Sequence, residues 1–156
     1  MFDGYGNILR GNDVRRSVEL DKEEKMVSHI AWDDAYKVNN DMIDSQHQKL
    51  FQLADGLYGL VSSGEKDRNK VGKVIQELVE YVMFHFGSEE ELMKKIGYAD
   101  ADSHISAHRA FNDYTSKLVG DFSAGKEVDL GELYTYIGKW LVDHITVVDK
   151  KLAASA

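Results

Sequence analysis

The chain of 156 residues contains no cysteine and no proline. The absence of cysteine excludes disulfides, thiol catalysis and iron–sulfur clusters held by cysteine. The absence of proline removes the residue that most often interrupts a helix, and it favours long continuous helices. No apolar run approaches the roughly 20 residues that a transmembrane helix needs, so the sequence predicts no membrane span.

Basic residues are outnumbered by acidic ones, and the formal net charge is -8. This balance argues against a general affinity for nucleic acid or for anionic membranes. The stretch Met1–Met26 is polar and lacks the apolar centre of a signal peptide. These features predict a cytoplasmic protein, or a cytoplasmic fragment of a larger one, with no nucleic-acid partner and no membrane partner.

The length of the chain suits one domain with a core of its own. Residues 1–28 contain glycines and then a dense run of charges, which predicts an N-terminal extension or linker. Residues 29–156 are predicted to form the domain. Within it, Ile30–Val38 is expected to be an extended segment whose aromatic side chains, Trp32 and Tyr36, pack over one end of the fold.

Apolar residues recur at alternating spacings of three and four along four stretches, which is the pattern of the inward faces of bundled helices. The predicted helices begin near Ile43, Asp67, Ser103 and Leu130, and they end near Ser62, Ile96, Gly125 and Leu152. Because the intervening loops are short, the sequence predicts an all-α fold: an antiparallel up-down-up-down four-helix bundle.

Several ionisable side chains lie on the predicted inward faces, among apolar neighbours. They are His47, His85, Glu89, His104, His108 and His144. The pairs that stand four residues apart project from one side of their helix. In an antiparallel bundle the start of the first helix is level with the end of the fourth, so all six side chains are predicted to meet at one end of the core.

A single inward histidine is more often a hydrogen-bonded core residue than a metal ligand. Five of them together would need five sets of polar partners, which the apolar positions around them do not offer. A metal ion binds neutral imidazole and carboxylate together, so the set predicts a metal site. His29 lies off every inward face and is predicted to be a surface residue, and Glu90 and Glu91 are predicted to be solvated.

A second carboxylate is needed for such a site, and the spacing leaves two candidates. Asp149 follows His144 by five residues, which a regular helix does not align, but a one-residue bulge would restore the alignment. Asp44 stands one turn before His47. Asp143 faces the wrong way. Spacing alone favours Asp149 only slightly over Asp44.

The combined pattern resembles that of the hemerythrin family, specifically the bacterial hemerythrins. The similarity is carried by Trp32, Tyr36, the segment Ile43–His47, the segment His85–Glu90, His104, His108 and the segment Trp140–Asp149. The resemblance implies a non-haem di-iron site in which His47 and His85 bind one iron, His104, His108 and His144 bind the other, and Glu89 and Asp149 bridge them. The chain departs from the family at Asn39, where Gly is usual, and at Ala99, where Pro is usual.

With an oxo or hydroxo group bridging the two irons, this ligand set leaves one position open, on the iron that has two histidines. That vacancy predicts binding of dioxygen, and of small anions such as azide or chloride. Di-iron bundles that activate oxygen are richer in glutamate, so the histidine-rich set favours reversible binding. Four apolar residues are predicted to wall the oxygen pocket, namely Leu141, Trp140, Phe86 and Ile43.

Three functions are compatible with this site. The isolated domain and its acidic surface favour an oxygen carrier, storage or delivery protein without enzyme activity. One alternative is an oxygen- or redox-sensing input domain that acts with an upstream or partner signalling module. The other is a di-iron enzyme of the peroxidase type.

Overall fold

The computed structural model describes residues 27–156, and its regular structure is helical throughout that range. The long helices are α1 (Asp41–Ser63), α2 (Arg68–Ile96), α3 (Ala101–Ser123) and α4 (Leu130–Asp143). After α4 the helix continues through a π-helical segment (His144–Asp149) into a final α-helical turn (Lys150–Ala153). Helix α1 packs against α2 and α4, and α2 packs against α3. The predicted all-α four-helix bundle is confirmed.

The helices begin at side chains that accept hydrogen bonds from the first backbone amides, which have no partner within the helix. The side chain of Asn40 accepts from Ile43 at the start of α1, and that of Asp67 accepts from Asn69 at the start of α2. Helices α1 and α2 both end at a glycine with left-handed backbone, Gly64 and Gly97. The prediction that α2 ends at Ile96, just before Gly97, is confirmed.

Asn39 lies just before α1 with a φ of 64°, in the left-handed region. Glycine occupies this region at the least cost, and asparagine tolerates it better than most other residues do. This backbone conformation suits the glycine that the family resemblance leads one to expect at that position.

The core is formed by the inward faces that the spacing predicts, with one correction in the last turn of α2. Leu92 is only partly buried there, whereas Met93 is 1% exposed. A helix repeats every 3.6 residues, so a strict alternation of three and four drifts away from the core over a long helix. The buried face of α2 accordingly moves on by one residue after Glu89.

The segment Ile30–Val38 packs its aromatic side chains on α1, as predicted, although part of it is a 3-10 turn (Asp34–Tyr36) rather than extended chain. Both side chains pack on the ring of Phe51. Tyr36 stacks on it with ring centroids 5.2 Å apart, and Trp32 contacts it edge-on with centroids 5.6 Å apart. The Nζ of Lys150 donates a hydrogen bond to the carbonyl oxygen of Ala35 at 3.1 Å. These contacts fix the segment at the end of the bundle where α1 begins.

Ile30 fills a notch in α4 that a glycine leaves open. A Cβ added at Gly138 would overlap the Cδ1 atom of Ile30. The backbone N–H of Ile30 also donates to the hydroxyl oxygen of Tyr134 at 2.7 Å. One residue earlier, His29 pairs with Asp55 of α1 and keeps 44% of its side chain exposed, in agreement with its predicted surface position.

The extension predicted for residues 1–28 lies outside the described residues except for its last two. Among residues 27–156, none of the helices combines the length and the apolar character that crossing a membrane would require.

Candidate metal centre

Five histidines and two carboxylates meet at one end of the bundle core, and each has at most 5% of its surface exposed. They are His47 from α1, His85 and Glu89 from α2, His104 and His108 from α3, and His144 and Asp149 from the π-helical segment. The convergence predicted from the antiparallel topology is confirmed. The role of these residues as metal ligands stays a prediction.

The seven side chains form two groups, in each of which the potential ligand atoms lie within 4.8 Å of one another. The two-histidine group consists of His47, His85, Glu89 and Asp149. The three-histidine group consists of His104, His108, His144 and Glu89. Glu89 belongs to both groups, so two cations placed in them would share a ligand.

Glu89 directs its two oxygens to different groups. Its Oε1 lies 3.6 Å from Nε2 of His85, in the two-histidine group. Its Oε2 lies 3.4 Å from Nε2 of His104 and 3.2 Å from Nε2 of His108, in the three-histidine group. This is the disposition of a carboxylate that spans two cations.

Asp149 is arranged in the same way. Its Oδ2 lies 3.1 Å from Nε2 of His47. Its Oδ1 lies 3.2 Å from Nε2 of His104 and 3.0 Å from Nε2 of His144. Both carboxylates therefore present one oxygen to each group, and together they connect the two groups.

Several buried polar atoms of this cluster have no hydrogen-bond partner among the described residues. They are both oxygens of Glu89, both oxygens of Asp149, both ring nitrogens of His47 and Nδ1 of His104. The neighbouring histidine nitrogens are near in distance, but their directions do not suit hydrogen bonds. Buried polar groups are normally satisfied, and leaving one unpaired costs about 1–3 kcal/mol. Cations bound between these atoms would satisfy them, so the donor set fits metal.

The spacing of the imidazole nitrogens also fits a cation. Nε2 of His144 lies 3.2 Å from Nε2 of His108 and 3.1 Å from Nε2 of His104. Adjacent ligands about 2.1 Å from a metal and at right angles to each other are roughly 3.0 Å apart. Three ring nitrogens that converge at this distance are arranged as the adjacent ligands of one ion are.

Burial keeps two of the histidines neutral, which is the form that binds metal. Burial, together with the smaller effect of the neighbouring His47, lowers the pKa of His85 to about 3. Burial likewise lowers the pKa of His108 to about 2, assisted by His144 and His104. At neutral pH both rings therefore offer lone pairs rather than positive charge.

The two carboxylates respond to burial in opposite ways. Burial and the nearby charge of Asp149 raise the pKa of Glu89 to about 8. Burial also opposes ionisation of Asp149, but contacts from His104, His144 and His47 outweigh it and hold the pKa of Asp149 well below its usual range. For His104, burial lowers the pKa, but contacts with Asp149 and Glu89 prevail and raise it to about 9. At neutral pH these shifts favour the protonated forms of Glu89 and His104 and the ionised form of Asp149.

Asp149 reaches the cluster because the helix widens. The segment His144–Asp149 is π-helical, and this confirms the predicted one-residue bulge between those two residues. The other candidates have different partners. Asp44 is buried, and its Oδ1 accepts a hydrogen bond from the backbone N–H of Val38 at 2.8 Å, so it fastens the segment before α1. Asp143 is exposed and pairs with Lys139.

Two polar residues beside the cluster, Gln46 and Glu90, contact its histidines in a way that the sequence patterns did not predict. Nδ1–H of His85 donates to Oε1 of Gln46 at 2.9 Å. Nδ1–H of His108 donates to Oε1 of Glu90 at 3.2 Å. The side chain of Glu90 is 41% exposed, so it combines access to solvent, as predicted, with a contact to the cluster that was not predicted, and Glu91 is exposed as predicted. Gln46 and Glu90 each adjoin a cluster residue in sequence, and this adjacency was the available signal.

Apolar and aromatic side chains surround the cluster. Phe86 stacks on the ring of His108 at 3.7 Å, and Trp140 stacks on the ring of His144 at 4.2 Å. Ile43 is completely buried and Leu141 is 2% exposed. The two aromatic rings thus lie against the three-histidine group, and the role of all four residues as the wall of an oxygen pocket stays a prediction.

Residues 38–156 match the family model of the hemerythrin HHE cation binding domain. The chain is 34% identical over 124 residues to a bacteriohemerythrin of Stenotrophomonas maltophilia, an alignment that covers 80% of this chain and 79% of that relative. It is 33% identical over 115 residues to a bacteriohemerythrin of Methylococcus capsulatus, covering 74% and 86%. Its fold is similar to the crystal structure of a wild-type hemerythrin, with a TM-score of 0.77, 31% identity, and coverage of 83% of this chain and 100% of that one. The chain therefore belongs to the hemerythrin family.

Proposed function

We propose that this protein binds dioxygen reversibly at a non-haem di-iron centre and serves as an oxygen carrier, storage or delivery protein. The residues that would hold the two irons are His47, His85, Glu89, His104, His108, His144 and Asp149. An oxo or hydroxo group would complete the bridge between the irons. We further propose a cytoplasmic site of action.

One observation carries this proposal: Glu89 and Asp149 each direct one oxygen to the two-histidine group and the other to the three-histidine group. A single-ion site requires only one set of converging atoms, and a closed zinc site uses about four ligands. Seven residues in two connected groups suit a pair of ions with higher coordination numbers.

The two groups differ in the number of histidines, and this difference supports an oxygen position in the two-histidine group. A reduced di-iron pair supplies the electrons that reversible dioxygen binding requires. The same open position would accept a small anion such as azide or chloride. The protein's part is to keep that position dry. Ile43, one helical turn before His47, and Leu141 are buried, and the ring of Phe86 lies 5.9 Å from that of His85 as well as against His108. These three apolar side chains are proposed to exclude water.

The surroundings favour binding over enzymatic turnover. Among the described residues, the polar side chains outside the cluster that hydrogen-bond to its histidines are Gln46 and Glu90, and both bind the far side of a histidine ring rather than the space between the groups. The ring of Tyr98 lies edge-on to His104 at 6.5 Å. A peroxidase-type enzyme would require an acid–base residue directed at its substrate. A sensing role would require an output module that responds to the state of the centre.

Metal analysis and an oxygen titration test the proposal. The protein is loaded with Fe²⁺ without oxygen, and its iron content is expected to be close to two per chain. Addition of oxygen should produce a visible absorption band that disappears under argon and returns over repeated cycles. A content near one iron, or a preference for zinc, contradicts the di-iron centre. A band that decays with consumption of an added reductant and peroxide favours the enzyme instead.

A further inference from the structure

We propose that Gln46 and Glu90 are positioning residues that hold His85 and His108 in the ring orientation required for metal binding before any metal arrives. Each residue serves one of the two groups. This inference rests on the proposed metal centre, because it assigns a role at the same ligands.

Gln46 fixes His85 through a chain of hydrogen bonds. Its Oε1 accepts from Nδ1–H of His85 at 2.9 Å, and its amide Nε2 donates to Oγ of Ser88 at 3.2 Å. Ser88 in turn donates to the backbone carbonyl oxygen of Phe84 at 3.0 Å. Gln46 is only 7% exposed, so water competes little for its amide. Because both ends of the amide are engaged, its oxygen points at His85, and the proton of that ring is held on Nδ1.

Glu90, which directly follows Glu89 in the sequence, fixes the orientation of His108. Its Oε1 accepts a hydrogen bond from Nδ1–H of His108 at 3.2 Å. On the opposite edge of the ring, Nε2 of His108 lies 3.2 Å from Oε2 of Glu89. Phe86 stacks on the same ring with planes inclined by only 6°. The ring of His108 is thus fixed in plane by Phe86 and in rotation by Glu90.

Both contacts cross from one helix to the next. Gln46 stands on α1 beside His47 and reaches His85 on α2. Glu90 stands on α2 beside Glu89 and reaches His108 on α3. A partner on Nδ1 sets which nitrogen carries the proton and leaves the Nε2 lone pair for the ion. Each group therefore receives one ligand whose orientation is fixed from the neighbouring helix.

Two other histidines of the cluster lack this support. Nδ1 of His47 and Nδ1 of His104 are buried and have no hydrogen-bond partner among residues 27–156. Their Nε2 atoms face Asp149 and other members of the cluster, but no contact on the Nδ1 side fixes the rotation of these rings. Each group therefore combines both kinds of histidine, since His85 and His108 have a partner on Nδ1 whereas His47 and His104 do not.

Four variants of the whole chain and two matched controls test the assignment with Co²⁺, which reports ligand geometry through its visible absorption. Gln46→Ala and Glu90→Ala remove the acceptors, whereas Ser88→Ala removes the partner of Gln46 without emptying its position. Glu90→Gln retains an acceptor at Glu90. The controls are Gln48→Ala and Glu91→Ala, which alter exposed residues of the same type and the same helices. Binding is measured by competition with a chromophoric chelator, and unfolding of each metal-free variant is measured separately.

The parent is expected to bind two Co²⁺ ions. Loss of either acceptor should weaken one of the two binding steps by about 10–100-fold, as for other groups that orient metal ligands, and Ser88→Ala should weaken the step that Gln46→Ala weakens. Glu90→Gln should retain the affinity of the parent, and unfolding of metal-free Glu90→Ala should match that of Glu91→Ala.

Three results overturn the inference while leaving the proposed function intact. They are two ions bound as tightly by Gln46→Ala and Glu90→Ala as by the controls, a Glu90→Gln variant as weak as Glu90→Ala, or an affinity loss matched by an equal loss of metal-free stability. A parent that fails to bind two ions removes the proposed function, and the inference with it.

Discussion

Nε2 of His144 lies 3.0 Å from Oδ1 of Asp149, although the two residues are five positions apart in one helix. A regular α-helix turns by about 100° per residue, which would leave them about 140° apart around the axis. The π-helical segment removes that difference within one widened turn. Such turns occur frequently at functional sites, and here the widened turn brings into the cluster the second carboxylate that reaches both groups.

Alanine substitutions of His104 and His47 are expected to differ. Loss of His104 would open a position in the better-supplied three-histidine group, and added imidazole or a small anion should bind there and alter the visible spectrum. Loss of His47 depletes the two-histidine group, where oxygen is proposed to bind, and should weaken oxygen binding directly. Spectra of both iron-loaded variants with and without imidazole provide the measurement. Identical behaviour of the two would contradict the assignment of groups.

Leu141→Ala should destabilise the fold and shorten the time for which the protein binds oxygen reversibly in air. The cavity should cost about 2–5 kcal/mol, measured by denaturant unfolding, while all seven cluster residues remain. Water admitted to the site should accelerate loss of reversible oxygen binding. Leu57→Ala is the matched control, because Leu57 is fully buried in α1 and is three helical turns from His47. An equal lifetime of reversible oxygen binding in both variants would show that Leu141 is a core residue with no role in protecting bound oxygen.

Removal of metal is expected to lower the stability of the bundle, because the buried oxygens of Glu89 and Asp149 lose their only suitable partners. Each ion, at a hundred times its dissociation constant, should stabilise the folded state by about 2.7 kcal/mol. For a chain of this length that corresponds to a rise in Tm of roughly 5–10 °C. Thermal unfolding with Fe²⁺ under argon, and with chelator, measures the difference. Mg²⁺ is the control, since it prefers oxygen ligands, and an equal effect of Mg²⁺ would argue against the histidine-rich site.

Gly138→Ala tests whether the segment that contains Ile30 stabilises the domain. The added methyl would overlap Cδ1 of Ile30, and overpacking of this kind costs about 1–3 kcal/mol. Gly59→Ala is the control, because Gly59 lies in the interior of α1 with no atom within 4 Å of its added Cβ. That variant should gain about 0.5–1 kcal/mol from helix propensity. Opposite signs in denaturant unfolding are the expected result, and a stabilised Gly138→Ala would show that Ile30 moves aside without cost.

The bundle and the convergence of its polar residues could be predicted because both follow from position along a helix. Spacings of three and four identify the inward face, and antiparallel order places His47 level with His144. Tyr134 could not be found in this way. It is completely buried on a second face of α4, which is covered by Ile30 from outside the helical part of the chain.

Gln46 and Glu90 were missed for a related reason. Each stands one residue, or about 100°, away from a cluster residue, so each lies at the flank of the inward face rather than on it. Their partners lie on the neighbouring helix, and the spacing of residues along one helix contains no information on the distance to the next helix. Asp149 was the reverse case, since regular helical spacing counted against it, a one-residue bulge gave it only a slight lead over Asp44, and the resemblance to the family then selected it.

The π-helical segment also bears on how this chain aligns with related ones. A widened turn holds one more residue than a regular helix does between the same two points in space. Alignment with a bundle whose fourth helix lacks such a turn would therefore require a gap within the stretch from 144 to 149, even where the side chains superpose. The additional length is carried on the outer side, where Val147 is 55% exposed, while Asp149 and Leu152 remain buried. An insertion at this point is thus absorbed within a single turn, and the helix beyond it keeps its contact with the core.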